Sequence, residues 1–151
     1  MEIREDDLTG PAVVGLLESH LENMKEITPP ESVHALGVER LRSPEITVWS
    51  AWEDDVLLGC GALKVLGPTS GEIKAMRTAD AHRGKGVGSR VLEHIIAEGQ
   101  RRGYRHLYLE TGASADFSAA QRLYRRYGFE YRGPFGDYID DPNSVFMAKG
   151  L

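Results

Sequence analysis

Arg83-Gly84-Lys85-Gly86-Val87-Gly88-Ser89 is the stretch on which the reading of this chain turns. Three glycines fall within five residues, between a strand-like segment, Glu72–Thr78, and a helical pattern of Val87, Val91, Leu92, Ile95 and Ile96. Those five positions are i, i+4, i+5, i+8 and i+9, one apolar face of a helix. Glycines between a strand and a helix let successive backbone N–H groups approach an anion at the positive end of the helix, and phosphate is the natural candidate. Arg83 and Lys85 add two cations to the same turn of a chain whose net charge is −5. A plain glycine-rich turn with no ligand is the alternative that the glycines alone leave open. A dinucleotide fingerprint fails on spacing, because Ser89 and Val91 stand where glycines are needed. A P-loop fails as well, because Lys85 precedes the glycines that should come before it.

Working outward, Met1–Glu5 reads as an edge strand, and Thr9-Gly10-Pro11 opens a helix carrying Val13, Val14, Leu17, Leu21 and Met24 at helical spacing. Pro29 and Pro30 end it, and a second helix is expected from Ser32 to Leu41. Ile46–Trp52 and Val56–Leu66 form an antiparallel pair around the turn Glu53-Asp54-Asp55, and Gly67–Gly71 is a further turn. The helix after the glycine stretch closes with Arg101, Arg102 and Gly103, and His106–Glu110 makes Glu72–Glu110 a βαβ unit. Ala120, Leu123, Tyr124 and Tyr127 mark one more amphipathic helix, with Asp116 or Ser118 as N-cap and Gly128 as its close. Phe129–Arg132 and Ser144–Lys149 are the last strands. The order β-α-α-β-β-β-α-β-α-β-β is an α+β sandwich around a mixed sheet of about seven strands flanked by about four helices.

With 151 residues and no linker, repeat or low-complexity tract, residues 1–151 read as one domain. The 18 Lys plus Arg against 23 Asp plus Glu argue against a nucleic-acid or anionic-membrane binder. The acidic N-terminal segment and the lack of a long apolar run give the expectation of a soluble, cytoplasmic protein. Cys60, between Gly59 and Gly61, reads as a small buried hydrophobe. His34 and His82 lack ligand-spaced partners, so no metal is expected, and they read as surface or helix-packing residues. Trp49 and Trp52 suit strand packing, with the wall of a cleft as the alternative.

Arg83-x-x-Gly86-x-Gly88 resembles the R/Q-x-x-G-x-G/A motif of the GNAT superfamily, the Gcn5-related N-acetyltransferases, and it occupies the family's place between the fourth strand and the third helix. Ala120-x-x-Leu123-Tyr124-x-x-x-Gly128-Phe129 is similar to the family's A-x-x-L-Y-x-x-x-G-F helix and turn. Two such motifs in the right order, within a matching element order along nearly the whole chain, are far more specific than either alone. Glu110-Thr111-Gly112 and Gly133-Pro134-Phe135-Gly136-Asp137-Tyr138 also look like a bacterial branch of this family.

The resemblance implies the GNAT fold, acetyl-CoA as donor, and direct transfer in a ternary complex to a nitrogen acceptor, usually a primary amine on a small or amino-acid-like molecule. It implies that Arg83, Gly84, Lys85, Gly86, Val87, Gly88 and Ser89 cradle the pyrophosphate, and that backbone groups of Met76, Arg77 and Thr78 meet the pantetheine arm. Tyr124 takes the place of the tyrosine that protonates the departing thiolate, and Glu72, eleven residues before Arg83, takes that of the general base. Phe117 departs from the pattern by standing where the family often has Asn. Homodimers are common among such folds, and the sequence leaves the oligomeric state open.

The chemistry sets demands on these residues. An alkylamine with a pKa near 10.4 is unprotonated in only roughly one molecule in a few thousand at pH 7, so a base or water chain must take its proton. A phenol near 10 facing a thiol near 8.5 makes full proton transfer uphill by about 2 kcal/mol, so Tyr124 acts as a hydrogen-bond donor to developing thiolate. The acidic residues Asp137, Asp140 and Asp141 are expected to draw a cationic acceptor. A non-catalytic acyl-CoA-binding or sensing module of the same fold would keep the glycine turn without needing Tyr124, and a nucleotide-binding regulatory domain is a third reading.

Overall fold

The computed structural model describes all residues, Met1–Leu151. Strand β1 (Glu2–Asp6) leads into helix α1 (Pro11–Ile27) and the single-turn helix α2 (Val38–Leu41). Strands β2 (Ile46–Glu53), β3 (Val56–Gly67) and β4 (Ser70–Thr78) follow, then α3 (Val87–Arg101), β5 (His106–Gly112), α4 (Ser118–Arg126), β6 (Glu130–Arg132) and β7 (Ser144–Gly150). The strands form one mixed sheet in the order β1-β2-β3-β4-β5-β7-β6. Every neighbouring pair is antiparallel except β4 and β5. The architecture is the α+β sandwich that the sequence predicts.

Alternation along β3 explains how the two faces are covered. Cys60 and Ala62 point into a core with Val13 and Leu17 of α1 and Leu41 of α2. Gly59 and Gly61 face the other way, under α3. A side chain on Gly59 would meet Val87 Cγ1 at 2.9 Å, and one on Gly61 would meet Val91 Cγ1 at 2.7 Å. Missing side chains on β3 therefore let Val87, Val91, Leu92 and Ile95 seat α3 directly on the sheet, in a core that also holds Leu107, Leu109 and Met147. Trp49 belongs to this core and packs edge-on against His94, with ring centres 5.5 Å apart. Trp52 lies under the Arg4 guanidinium, so both tryptophans serve packing.

Two expectations need correction. The helix expected over Ser32–Leu41 is confined to Val38–Leu41, and Pro30–Ser32 form a separate 3-10 turn. Ser32 cannot cap a helix because it is buried, 2% exposed, and its hydroxyl donates to Asp141 Oδ2 at 2.5 Å. Neither Asp116 nor Ser118 caps α4: Phe117 holds the N-cap position without a side-chain bond, after a 3-10 turn over Ala115–Phe117. No helix is long and apolar enough to cross a membrane.

Candidate active site

The site originates in a break between the two central strands. β4 pairs with β5 only where Ser70, Gly71 and Glu72 meet His106, Leu107 and Tyr108. Beyond Glu72 the register of β4 against β3 slips, so that Ala75 and Met76 both stand opposite Gly61. Ala75 takes φ +53°, a left-handed conformation uncommon for a residue with a side chain. Such a bulge bends and twists its strand. The β5-facing backbone of Ile73–Thr78 is left without a strand partner, while β5 stays paired with β7 up to Gly112. A cleft of about 670 Å3 opens there, with β4 on one wall, Glu110, Thr111 and Gly112 on the other, and α1 and α4 above.

At one end of the cleft stands the glycine turn. Gly84 and Gly86 have φ of +77° and +79°, which glycine adopts without strain, and a side chain built on either would meet nothing within 4 Å. Gly86 is the N-cap of the 15-residue α3, and no side chain caps the helix. Its first N–H groups, on Val87, Gly88 and Ser89, are thus free to bind an anion, aided by the helix dipole. Gly88 has a different reason to be glycine: a side chain there would meet Leu123 Cδ2 of α4 at 3.2 Å. Arg83 belongs to this turn, and Arg122 and Arg126 of α4 also line the cleft. Arg83 pairs with Asp80 at 2.8 Å, and Arg77 holds Asn23 Oδ1 of α1 at 2.8 Å. Open space over uncapped N–H groups, with guanidinium groups around it, fits a pyrophosphate.

Ionisable side chains gather further along the cleft. Tyr124, 6% exposed, edges against Phe129, and its hydroxyl has no hydrogen-bond partner within the chain although the residue lines the cleft. Burial, and then the charge of Glu110, raise its pKa above the ordinary phenol value. Glu110 lines the opposite wall, and burial pushes its carboxyl up to about 7. The Ser144 hydroxyl and the Lys74 ammonium oppose that rise, and the Glu72 and Asp141 carboxylates add to it. Cys60 also borders the cleft, but burial pushes its thiol up to about 12.

Of the residues singled out in the sequence, Met76, Arg77, Thr78, Arg83, Gly84, Gly86, Val87, Gly88, Ser89 and Tyr124 all line this cleft. Lys85 and Glu72 do not. Lys85 is exposed and lies 3.1 Å from His82 Nδ1. Glu72, 3% exposed, is sealed beneath the β6–β7 loop: its Oε2 accepts from the Tyr138 hydroxyl at 2.5 Å and from Lys74 Nζ at 3.2 Å. The acidic loop also differs from expectation, since Asp137 and Asp140 face solvent and Asp141 accepts from Ser32 and from the Asn143 N–H at 2.8 Å. His34 is no helix-packing residue: it borders the cleft edge-on to Tyr138, with ring centres 4.9 Å apart. Phe117 lays its ring on Gly112, in space that a side chain at 112 would occupy. Glu110 and His20 were not picked out as site residues. The signal for Glu110 lay in the run Glu110-Thr111-Gly112 that ends β5, and for His20 in its spacing with Met24 along α1. No group of three or more His, Cys, Asp or Glu side chains is placed to hold a metal ion.

Residues 13–129 match the Acetyltransferase (GNAT) family. The chain is 58% identical over all 151 residues, covering 100% of both chains, to the Bacillus subtilis (strain 168) protein named "Uncharacterized N-acetyltransferase YsnE". It is 39% identical over 141 residues, 93% of this chain and 91% of the other, to the "IAA acetyltransferase" of Azospirillum brasilense. Its fold is that of a GNAT family acetyltransferase from Elizabethkingia anophelis with acetyl-CoA bound, at a TM-score of 0.72 and 19% identity over 99% of this chain and 97% of that one.

Proposed function

Since the chain belongs to the Acetyltransferase (GNAT) family and is an acyltransferase of that fold, we propose that it is an acetyl-CoA-dependent N-acetyltransferase. Its acceptor in this reading is the primary amine of a small or amino-acid-like molecule, acetylated directly in a ternary complex. One arrangement carries the reading: an unpartnered tyrosine hydroxyl and a largely buried carboxyl face the same cleft, which also holds an uncapped, glycine-built helix start.

The N–H groups of the Gly84–Ser89 turn would hold the pyrophosphate, with Arg83, Arg122 and Arg126 beside it. The unpaired backbone edge of Met76–Thr78 would hold the pantetheine amides, as a strand would. Acetyl-CoA supplies a thioester whose acyl carbon is open to attack. Glu110 takes the first proton from the ammonium of the acceptor, which a carboxyl near 7 does far better than one near 4.5. The base role implied for Glu72 thus passes to Glu110, while Glu72 is a positioning residue that fixes Lys74 and Tyr138. The amine nitrogen forms the new C–N bond, the C–S bond breaks with its electron pair on sulfur, and the Tyr124 hydroxyl donates to that sulfur. The second amine proton passes to the departing sulfur, which the Tyr124 hydroxyl holds by its hydrogen bond, so the products are an amide and a free thiol. General acid–base assistance of this kind supplies about 10² to 10⁴ in rate, and the remainder comes from holding amine and thioester together. Cys60 does not serve as an acetyl carrier, because its raised pKa leaves almost no thiolate.

Purified protein with acetyl-CoA and a panel of primary amines should release thiol in step with an acetylated product seen by mass spectrometry. Initial rates at varied concentrations of both substrates should give intersecting reciprocal plots. Parallel plots would replace direct transfer with a covalent intermediate. Binding of acetyl-CoA without thiol release from any amine would establish the non-catalytic binding module.

A further inference from the structure

We propose that the acceptor is a primary amine on an apolar body, carrying neither a carboxylate nor a second cation. The inference rests on the acetyl-transfer reading above and narrows its substrate class.

It follows from the charges at the acceptor end. Lys74 is the one cation whose charge reaches both Glu110 and His34, its side chain is 10% exposed, and Glu72 neutralises it at 3.2 Å. Its ammonium also donates to the Tyr138 hydroxyl at 3.2 Å, which in turn donates to Glu72. A carboxylate on the acceptor would have to displace a buried partner of opposite charge and would stand near Glu110. Removing one partner of a buried ion pair is strongly unfavourable, and so is desolvating an unpaired carboxylate. The His34 imidazole offers no substitute, since burial and the nearby Lys74 charge hold its pKa below the ordinary imidazole value, and His20 lies beside Arg77, toward the glycine turn. Arg77 is held by Asn23 and lies 3.6 Å from Asp80, toward the glycine turn.

A second ammonium fares no better. Glu110 serves the reacting amine, and Glu72 and Asp141 are already bonded to Lys74, Tyr138, Ser32 and Asn143. Asp116 borders the cleft only from the exposed turn before α4, where solvent screens its charge.

Apart from Thr28 and the Ser32 hydroxyl, which is held by Asp141, what remains is apolar. Asn23 meets Arg77 at the level of the glycine turn, and Ile27 stands one helical turn further along α1, toward His34. Ile27, Val33, Ala35 and Ile73 border this end of the cleft. Each methylene buried against such a wall is worth about threefold to fourfold in binding.

The test is a comparison of kcat/KM at fixed acetyl-CoA for straight-chain amines from ethylamine to hexylamine, for phenethylamine, for L-phenylalanine and for putrescine. The expected result is a rise of about threefold per methylene until the pocket is full, with phenethylamine exceeding L-phenylalanine by at least about tenfold and pentylamine, which has the same number of heavy atoms, exceeding putrescine likewise. Ile27→Asn should flatten the chain-length dependence while leaving the KM for acetyl-CoA unchanged. Phenylalanine or putrescine equal to or better than its uncharged-body counterpart, or no rise with chain length, overturns this inference and leaves N-acetyl transfer standing. Absence of thiol release with every amine overturns both.

Discussion

Glu110→Gln should stabilise the protein at alkaline pH and hardly at all at acid pH. In the folded chain burial and the neighbouring carboxylates raise Glu110 from 4.5 to about 7. A carboxyl with a raised folded-state pKa binds more protons in the folded than in the unfolded chain across that window. Stability is therefore greatest below pH 4.5 and declines as pH climbs through 7, where the folded state must hold a poorly solvated charge. At about 1.4 kcal/mol per pKa unit the full difference is at most about 3.5 kcal/mol. Glu110 is only partly buried at the cleft wall, so solvent screening brings the expected effect to about 1 to 2 kcal/mol. Gln keeps the shape and removes the charge. Urea denaturation of both proteins at pH 5, 6, 7 and 8 should give a stability difference near zero or negative at pH 5, rising by about 1 to 2 kcal/mol by pH 8. A difference that stays flat would mean that Glu110 ionises as freely as in the unfolded chain, and would refute its role as a neutral-pH base. Activity of the same variant should fall by about 10² to 10⁴.

Other outcomes follow from the same geometry. In the unmodified protein kcat/KM should rise with pH up to about 7 and then level, because Glu110 must lose its proton to act; a limb near 4.5 would point to an unperturbed carboxylate. Tyr124→Phe should leave acetyl-CoA affinity within a few-fold and lower kcat by about 10 to 150-fold, the worth of a hydrogen bond to developing charge; equal turnover on a chemistry-limited amine would make Tyr124 a packing residue alone. Gly86→Val should abolish the rise in Tm that acetyl-CoA produces, since a β-branched residue cannot hold φ +79° without strain; a retained shift would move the anion site elsewhere. Gly61→Val places atoms within 2.6 Å of Met76 Sδ and 2.7 Å of Val91 Cγ1, so urea unfolding should register a loss of about 1 to 3 kcal/mol; an unchanged midpoint would show that the bulge in β4 absorbs the strain.

Where the sequence was legible, local chemistry and tertiary demand agreed. The apolar stripe of α3 and the glycines before it belong to neighbouring segments of one turn and helix, so periodicity and turn chemistry reached the glycine-turn end of the cleft, Lys85 excepted. Tyr124 was reached through its motif, since its place on an apolar stripe would also suit a core residue. The failures lie where distant segments decide. Ser32–Gly37 carries a plausible helical pattern, but Ser32 bonds to Asp141, 109 residues away, and the segment is drawn into the cleft wall. Glu72 and Glu110 look alike along the chain. Their separation into a sealed carboxylate and a cleft carboxylate depends on where β4 leaves β5 and on Tyr138 reaching back from the β6–β7 loop. The bulge that parts the strands rests on a left-handed alanine, Ala75, which no local propensity announces.

The most direct test of the account is a crystal structure of the protein with coenzyme A. The pyrophosphate should accept hydrogen bonds from the N–H groups of the Gly84–Ser89 turn, the pantetheine should lie along Met76–Thr78, and the sulfur should come within about 3.5 Å of the Tyr124 hydroxyl, facing Glu110 across the cleft. Coenzyme A bound away from the glycine turn, or a sulfur out of reach of Tyr124, would contradict it.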